Sequence, residues 1–339
     1  MNIGPPVCDL LLSMRILVAL IAMSAAAFAQ FAVKTQDDRI SVTLKGQPYT
    51  DFIVKGGEGM KPYLYPLRAP SGTIVTRRFP IETSPTPGEP TDHPHHRGLF
   101  FAHANVNGID FWNNETSYKS PPPRGRIAFE KVLESKGGTS AKISVQLGWL
   151  DPDGKKLLEE VRMMRLSQGK DANLYDVELT LKALTPVVFG DEKDGAFGLR
   201  LDPALQEDKV IKENKTSRTY PGAPGLIVNA EGVQHEKDVW GRPSNWVDYS
   251  GEINGEKVGV AILDSAQNQP RARWHVRGYG LFAANPFGYS VFTNDKSKDG
   301  SVKLEPGQSL KLSYRVVVHA GDAKSANLGK LWEDFSKYK

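Results

Sequence analysis

The chain has 339 residues, with 43 Lys and Arg against 39 Asp and Glu and a net charge of +4. The two signs are interspersed, with only short basic pairs such as Arg77-Arg78, so nucleic acid is not expected as a partner. The only cysteine is Cys8, in a segment expected to be absent from the mature protein, which excludes disulfides, thiolate metal sites and cysteine nucleophiles.

Residues 1–13 read as an upstream extension, with Met14 as the start. Met14-Arg15 precedes the apolar run Ile16 to Ala22, and Ala27-Phe28-Ala29 has the small-x-small form that a signal peptidase accepts. Residues 14–29 are therefore expected to be a signal peptide cleaved after Ala29, leaving a periplasmic or secreted protein. The run is short for a membrane span, and no later segment approaches the roughly 20 apolar residues that a span requires.

Residues 30–339 show no linker and no fixed repeat, and a single domain is expected. Ile40, Val42 and Leu44 alternate with polar residues, as do Ile143, Val145, Leu147 and Trp149. Val177, Leu179 and Leu181 repeat the pattern, which predicts half-buried strands. Lys257 to Leu263 is nearly all apolar and predicts an interior strand, with Asn254-Gly255 as the hairpin turn before it. Leu310, Leu312, Tyr314, Val316 and Val318 give the longest alternation. Proline and glycine clusters punctuate these runs at 84–92, 121–123 and 151–154. Leu328, Leu331, Trp332 and Phe335 are spaced for one C-terminal helix, with Asp322 available as its N-cap. A mainly β fold follows: a large antiparallel β-sandwich with a C-terminal helix.

Chemistry concentrates in Asp92-His93-Pro94-His95-His96-Arg97-Gly98 and the following Phe100-Phe101-Ala102-His103. Four of the seven histidines fall between His93 and His103. Histidine transfers protons near neutral pH and ligates metals, so the cluster marks a site. Extended geometry would place His95 and Arg97 on one face and His96 on the other. His93 precedes a proline and is expected to be an extended loop residue. His95, His96 and His103, with Asp92 or Asp110, could hold a divalent metal, although thiols and helical histidine spacing are both missing. No cofactor is otherwise expected.

The histidine run, Asn107 to Trp112, Phe189 to Gly195, Trp246 to Gly251, Trp274 to Gly280, Ala283 to Gly288 and Val317 to His319 together resemble the bacterial PmoA-like family of unknown function, DUF6807. The resemblance extends from about residue 60 to 320. One departure is Asp264-Ser265-Ala266, where the family carries Asp-His-Pro. The family's label implies methane oxygenation, yet the membrane subunit so named is built from spanning helices. The family is also similar to galactose-mutarotase-type sandwiches. That similarity implies a histidine acid and a carboxylate base, with arginines and aromatics holding a sugar ring.

On this basis His275, His103, Asp191 and Asp248 are catalytic candidates, with His275 as acid and Asp191 or Asp248 as base. Substrate-binding candidates are His95, His96, Arg97, Trp112, Lys193, Arg200, Trp246, Trp274, Arg277 and Asn285. His95, His96, Arg97, His103, Asp248, His275 and Arg277 are expected to share one cleft, since charged groups are costly to bury unpaired. The leading reading is a secreted carbohydrate-active enzyme of the epimerase, lyase or hydrolase type, acting on a sugar or oligosaccharide. A non-catalytic periplasmic carbohydrate-binding protein and a metal-dependent oxidase are the other two.

Overall fold

The computed structural model describes Met1 and residues 30–55, 60–83, 86, 88–118, 123–213 and 215–337. The expected signal peptide and Cys8 lie outside the described residues, as do parts of the proline clusters at 84–87 and 121–122.

Two eight-stranded sheets dominate, and all their strand pairings are antiparallel. The first sheet runs, in spatial order, through Phe31–Thr35, Arg39–Leu44, Gln47–Ile53, Tyr63–Tyr65, Leu99–His103, Gly195–Arg200, Leu281–Asn285 and Arg273–Val276. The second runs through Leu226–Asn229, Trp246–Ile253, Glu256–Asp264, Ser309–Ala320, Ala172–Ala183, Lys156–Gln168, Ala141–Leu150 and Arg126–Lys136.

The alternating residues do what their pattern requires. Ile40, Val42, Ile143, Val145, Leu147, Trp149, Val177, Leu179 and Leu181 all lie in the core between the sheets. Phe197 of the first sheet stacks on Tyr314 of the second at 4.6 Å, a contact worth about 0.5–1.5 kcal/mol beyond burial. Glu256–Asp264 buries both faces, Val258, Val260 and Ile262 in the main core and Ala261 and Leu263 on the other face, which explains its nearly continuous apolar sequence. Asn254 and Gly255 both have positive φ, 52° and 84°, as a two-residue hairpin turn of the I′ kind demands.

The second sheet also buries part of its outer face. Ala261, Leu263 and Val317 pack there against Leu328 and Phe335 of the C-terminal helix, Leu328–Lys337. Asp322 is not that helix's N-cap. Its carboxylate accepts from Ser325 N at 2.8 Å and closes a separate turn, and the helix begins only after Asn327 at φ 52°. Two short helices, Glu236–Val239 and Tyr289–Thr293, lie in loops beside the first sheet's far edge. Among the described residues no helix is long and apolar enough to cross a membrane.

Candidate active site

Five strands and loops position the charged groups at one end of the first sheet. Residues 91–98 form a loop, not a strand, so the alternation expected of His95, His96 and Arg97 does not apply. The loop is organised by Arg77, which is fully buried. Its Nη1 donates to Asp92 O at 2.7 Å and Asp92 Oδ1 at 2.9 Å, and its Nη2 donates to His93 O at 2.7 Å. Arg200, also fully buried at the end of the central strand Gly195–Arg200, donates to the same Asp92 Oδ1 at 3.1 Å. Two guanidiniums thus converge on one carboxylate oxygen. Burial alone would raise the Asp92 carboxyl, but the His93 hydrogen bond and the charges of Arg200 and Arg77 outweigh it. The group is held well below the usual carboxylate range.

The second oxygen of Asp92 meets His93 Nδ1 at 2.7 Å. An ionised carboxylate only accepts, so His93 Nδ1 carries the proton. Nε2 has no hydrogen-bond partner among the described residues, and a ring oriented through Nδ1 by a carboxylate is the arrangement in which Nε2 can exchange a proton with a ligand. His93 is also held in place by stacking. Its ring lies parallel to His96 at 5.0 Å and nearly parallel to Tyr279 at 5.6 Å. Its φ of 46° is left-handed and not the extended geometry expected before Pro94. The three bonds that Arg77 and Asp92 make to this segment over-determine that conformation, and such strain concentrates at functional sites.

The neighbouring rings are neutral. Burial, with the Lys61 charge next, pushes His95 well below its ordinary range, and burial with the His95 and Arg200 charges does the same to His96. Arg200 Nη1 lies 3.2 Å from His96 Nδ1. Arginine only donates, so this nitrogen accepts and the His96 proton sits on Nε2. His95 Nδ1 is 2.8 Å from the Tyr118 hydroxyl. Arg97 turns away to a buried bidentate pair with Glu115, at 3.0 and 2.7 Å. The open side of Asp92, His93, Arg200 and Tyr279 lines a cavity of about 570 Å³, closed on its other side by residues 206–210. That volume suits a small organic ligand.

The other expected site residues form a different assembly. His103 Nε2 donates to Gly190 O at 2.7 Å, and His275 Nδ1 donates to Lys193 O at 2.9 Å. Asn285 Nδ2 donates to Glu192 O and Lys193 O, both at 2.9 Å. Asp191 Oδ2 accepts from Ser290 N at 2.9 Å and Gly300 N at 2.7 Å. All four groups therefore hold the loop 190–194 by its backbone or tie it to its neighbours. Gly195 permits the close fit, since a Cβ there would sit 2.3 Å from His103 Nδ1. Burial pushes His103 down to about 4 and His275 down to about 3, so both are neutral and unable to serve as acids near neutral pH.

Several expectations are corrected by this geometry. Asp248 is not in a cleft with His275: it lies on the outer face of the second sheet, fully buried, 2.9 Å from His319 Nε2. Trp112 packs on Phe100 and His96 with its ring buried, and Trp274 is buried with Nε1 donating to Ser244 O. Trp246 packs beneath the C-terminal helix. None of the three is an open ring platform, because each is consumed by core packing. Arg277 pairs with Glu236 at 3.0 Å and covers Trp240 at 4.2 Å. Lys193 pairs with Asp194 at 2.6 Å, and Asp194 lies 3.9 Å from His275. His103 does not converge with His95 and His96, and among the described residues no three His, Cys, Asp or Glu side chains are grouped to hold a metal. Sequence reasoning missed Arg77, His93 and Tyr279 as site residues. Arg77-Arg78 looked like a plain basic pair, and a histidine before proline looked like a loop.

A family model of unknown function, DUF6807, matches residues 39–333. The chain belongs to that family. No curated protein matches the sequence. Similar solved structures include the Slr1438 protein of Synechocystis sp. PCC 6803, at 11% identity and a TM-score of 0.36 over 87% of this chain and 93% of that one. A galactose mutarotase related enzyme of Lactobacillus acidophilus is 9% identical, with a TM-score of 0.35 over 86% of this chain and 98% of that one. A GH36 alpha-galactosidase of Geobacillus stearothermophilus is 12% identical, with a TM-score of 0.38 over 86% of this chain and 41% of that one.

Proposed function

We propose that this DUF6807 protein is an exported enzyme that performs acid–base chemistry on a sugar, with His93 as the proton-accepting group. The observation that carries the proposal is the Asp92–His93 pair. The carboxylate fixes the ring by Nδ1, stacking fixes its plane, and Nε2 is the nitrogen left for a ligand in the cavity. Arg200 and Tyr279 line the same cavity and offer a cation and a ring edge to a polyhydroxylated substrate. The motif resemblance supports the substrate class, and the leader-like segment before Gln30 supports export.

The test is turnover. Wild-type protein and His93→Gln are incubated in D2O with panels of aldoses, uronic acids and disaccharides, and the sugars are followed by proton NMR. Loss of a C–H signal, exchange between anomers or a new product reports epimerisation, elimination or hydrolysis alike. His93→Gln is expected to lower that rate by about 100-fold or more, the scale of a general base. Equal rates in the two proteins would remove His93 from the chemistry. Export is checked by N-terminal sequencing of the periplasmic protein, which is expected to begin near Gln30; an intact Met14 would contradict it.

A further inference from the structure

The wall of the cavity that faces away from the histidine loop carries two polar side chains that the fold leaves unused. Gln206 is fully buried, and neither its Oε1 nor its Nε2 has a hydrogen-bond partner. A buried amide left unpaired is costly, and such groups in native proteins have a reason. Two residues on, the Asp208 backbone is fixed, its N–H donating to Gly278 O at 2.9 Å. Among the described residues its carboxyl makes no hydrogen bond or ion pair, and it lies against Gly278, where a Cβ would come within 2.5 Å of it. Only a glycine at 278 leaves room for that carboxyl. Two other charged residues of this wall, Glu207 and Lys209, are engaged elsewhere, and Lys212 lines it as an opposing charge. Glu207 is bound to His235 and accepts from Glu236 N at 2.9 Å, and Lys209 donates to Pro203 O and Ala204 O at 3.1 and 2.9 Å.

We propose that Asp208 is the proton donor that works with His93, and that the Gln206 amide binds a substrate hydroxyl beside it. The inference rests on the acid–base reading of the cavity given above. Both Asp208 and Gln206 line that cavity together with His93. Burial favours the protonated form of Asp208, and the nearby Glu236 and Glu207 charges add to this against the opposing Lys212. A carboxyl whose protonated form its surroundings favour and an imidazole oriented by a carboxylate are two groups suited to opposite tasks in one space. In a turnover, His93 Nε2 takes one proton from the substrate, the electron pair released forms a π bond at the adjacent carbon, and the carbon–oxygen bond at that carbon breaks with its oxygen taking the proton of the Asp208 carboxyl. The protonated imidazole and the Asp208 carboxylate are then reset by exchange with solvent, so the substrate's net charge is unchanged. The Gln206 amide, one donor and one acceptor, matches a hydroxyl that must both give and receive a hydrogen bond.

The test is chemical labelling of the full chain, which needs no substrate. A water-soluble carbodiimide with methylamine, applied at mildly acidic pH, couples accessible protonated carboxyls, and peptide mass spectrometry locates them. Asp208 is expected to be labelled and Asp92 is not. Prior treatment with diethyl pyrocarbonate, which modifies free imidazole nitrogen, is expected to abolish the Asp208 label by filling the cavity from His93. In His93→Gln that protection is expected to vanish. An unlabelled Asp208, or a label indifferent to diethyl pyrocarbonate in the wild type, overturns the proposal. Sugar turnover separates the two readings: loss of activity in His93→Gln but not in Asp208→Asn defeats this inference alone. No sugar transformed while the labelling behaves as expected defeats the substrate class alone.

Discussion

Two kinds of histidine stand at this domain's first sheet, the buried His103 and His275 on its strands and the exposed His93 in a loop, and they differ in what their ring nitrogens touch. His103 and His275 each donate to a backbone carbonyl of the loop 190–194. A carbonyl cannot stabilise an imidazolium enough to offset burial, so both rings are neutral and fixed, and their work is to hold a loop. His93 donates to a carboxylate that two buried arginines keep ionised, and its other nitrogen is left for the cavity. The partner of the ring and its exposure together, and not its neighbours in sequence, separate a structural histidine from a reactive one.

The sharpest way to break the reactive group is to remove its organiser. Arg77→Leu leaves the Asp92 carboxylate and the backbone carbonyls of Pro90, Asp92, His93 and His96 without their shared donor, and is expected to cost about 3–5 kcal/mol of stability. Urea unfolding measures it; a cost under about 1 kcal/mol would mean that the loop is held by other contacts. His93→Gln should separate function from folding, with turnover falling about 100-fold while stability changes by no more than about 0.5 kcal/mol. His275→Leu should do the opposite. It removes one of two bonds to Lys193 O, so stability drops by about 1–2 kcal/mol while turnover per folded molecule is kept.

The fixed histidines also predict an acid limit. Unfolded His103 and His275 take up protons below their ordinary value of 6.5, whereas the folded rings refuse them until about 4 and about 3. The unfolded state therefore binds more protons in this window, and stability falls as pH drops from 6.5 toward 3. Denaturation midpoints against pH should show that slope, and His275→Leu should flatten it. The smallest effect concerns the buried Asp248–His319 pair. Burial works against the His319 charge, but Asp248 prevails and raises its pKa. Its contribution is complete below pH 6.5 and is lost as pH rises through the raised value. The stability gap between wild type and His319→Gln should accordingly narrow in alkali.

Most of the fold was legible because strand alternation is a local signal: Ile143 to Trp149 and Val177 to Leu181 declare their buried faces without reference to anything distant. The C-terminal helix was legible for the same reason, but its start was not, since Asp322 serves a turn that only the tertiary path reveals. The site was legible as a place and not as an assignment. Arg200 lines the cavity and His95 and His96 pack against His93, yet the choice between His93 and His275 depends on which atom lies opposite Nδ1. For His93 that atom comes from the adjacent residue, and for His275 from a loop 82 residues away. The tryptophans misled because a ring beside polar residues in sequence can still point into the core, as Trp112 and Trp274 do.

The central claim is tested most directly by proton–nitrogen NMR of the histidine rings across a pH titration, with His93→Gln and His275→Leu to assign the signals. The expected result is a His93 ring with a proton on Nδ1 and a His275 ring that stays neutral down to about pH 3. A His93 ring with no proton on Nδ1, or a His275 ring that takes up a proton near pH 6.5, would contradict it.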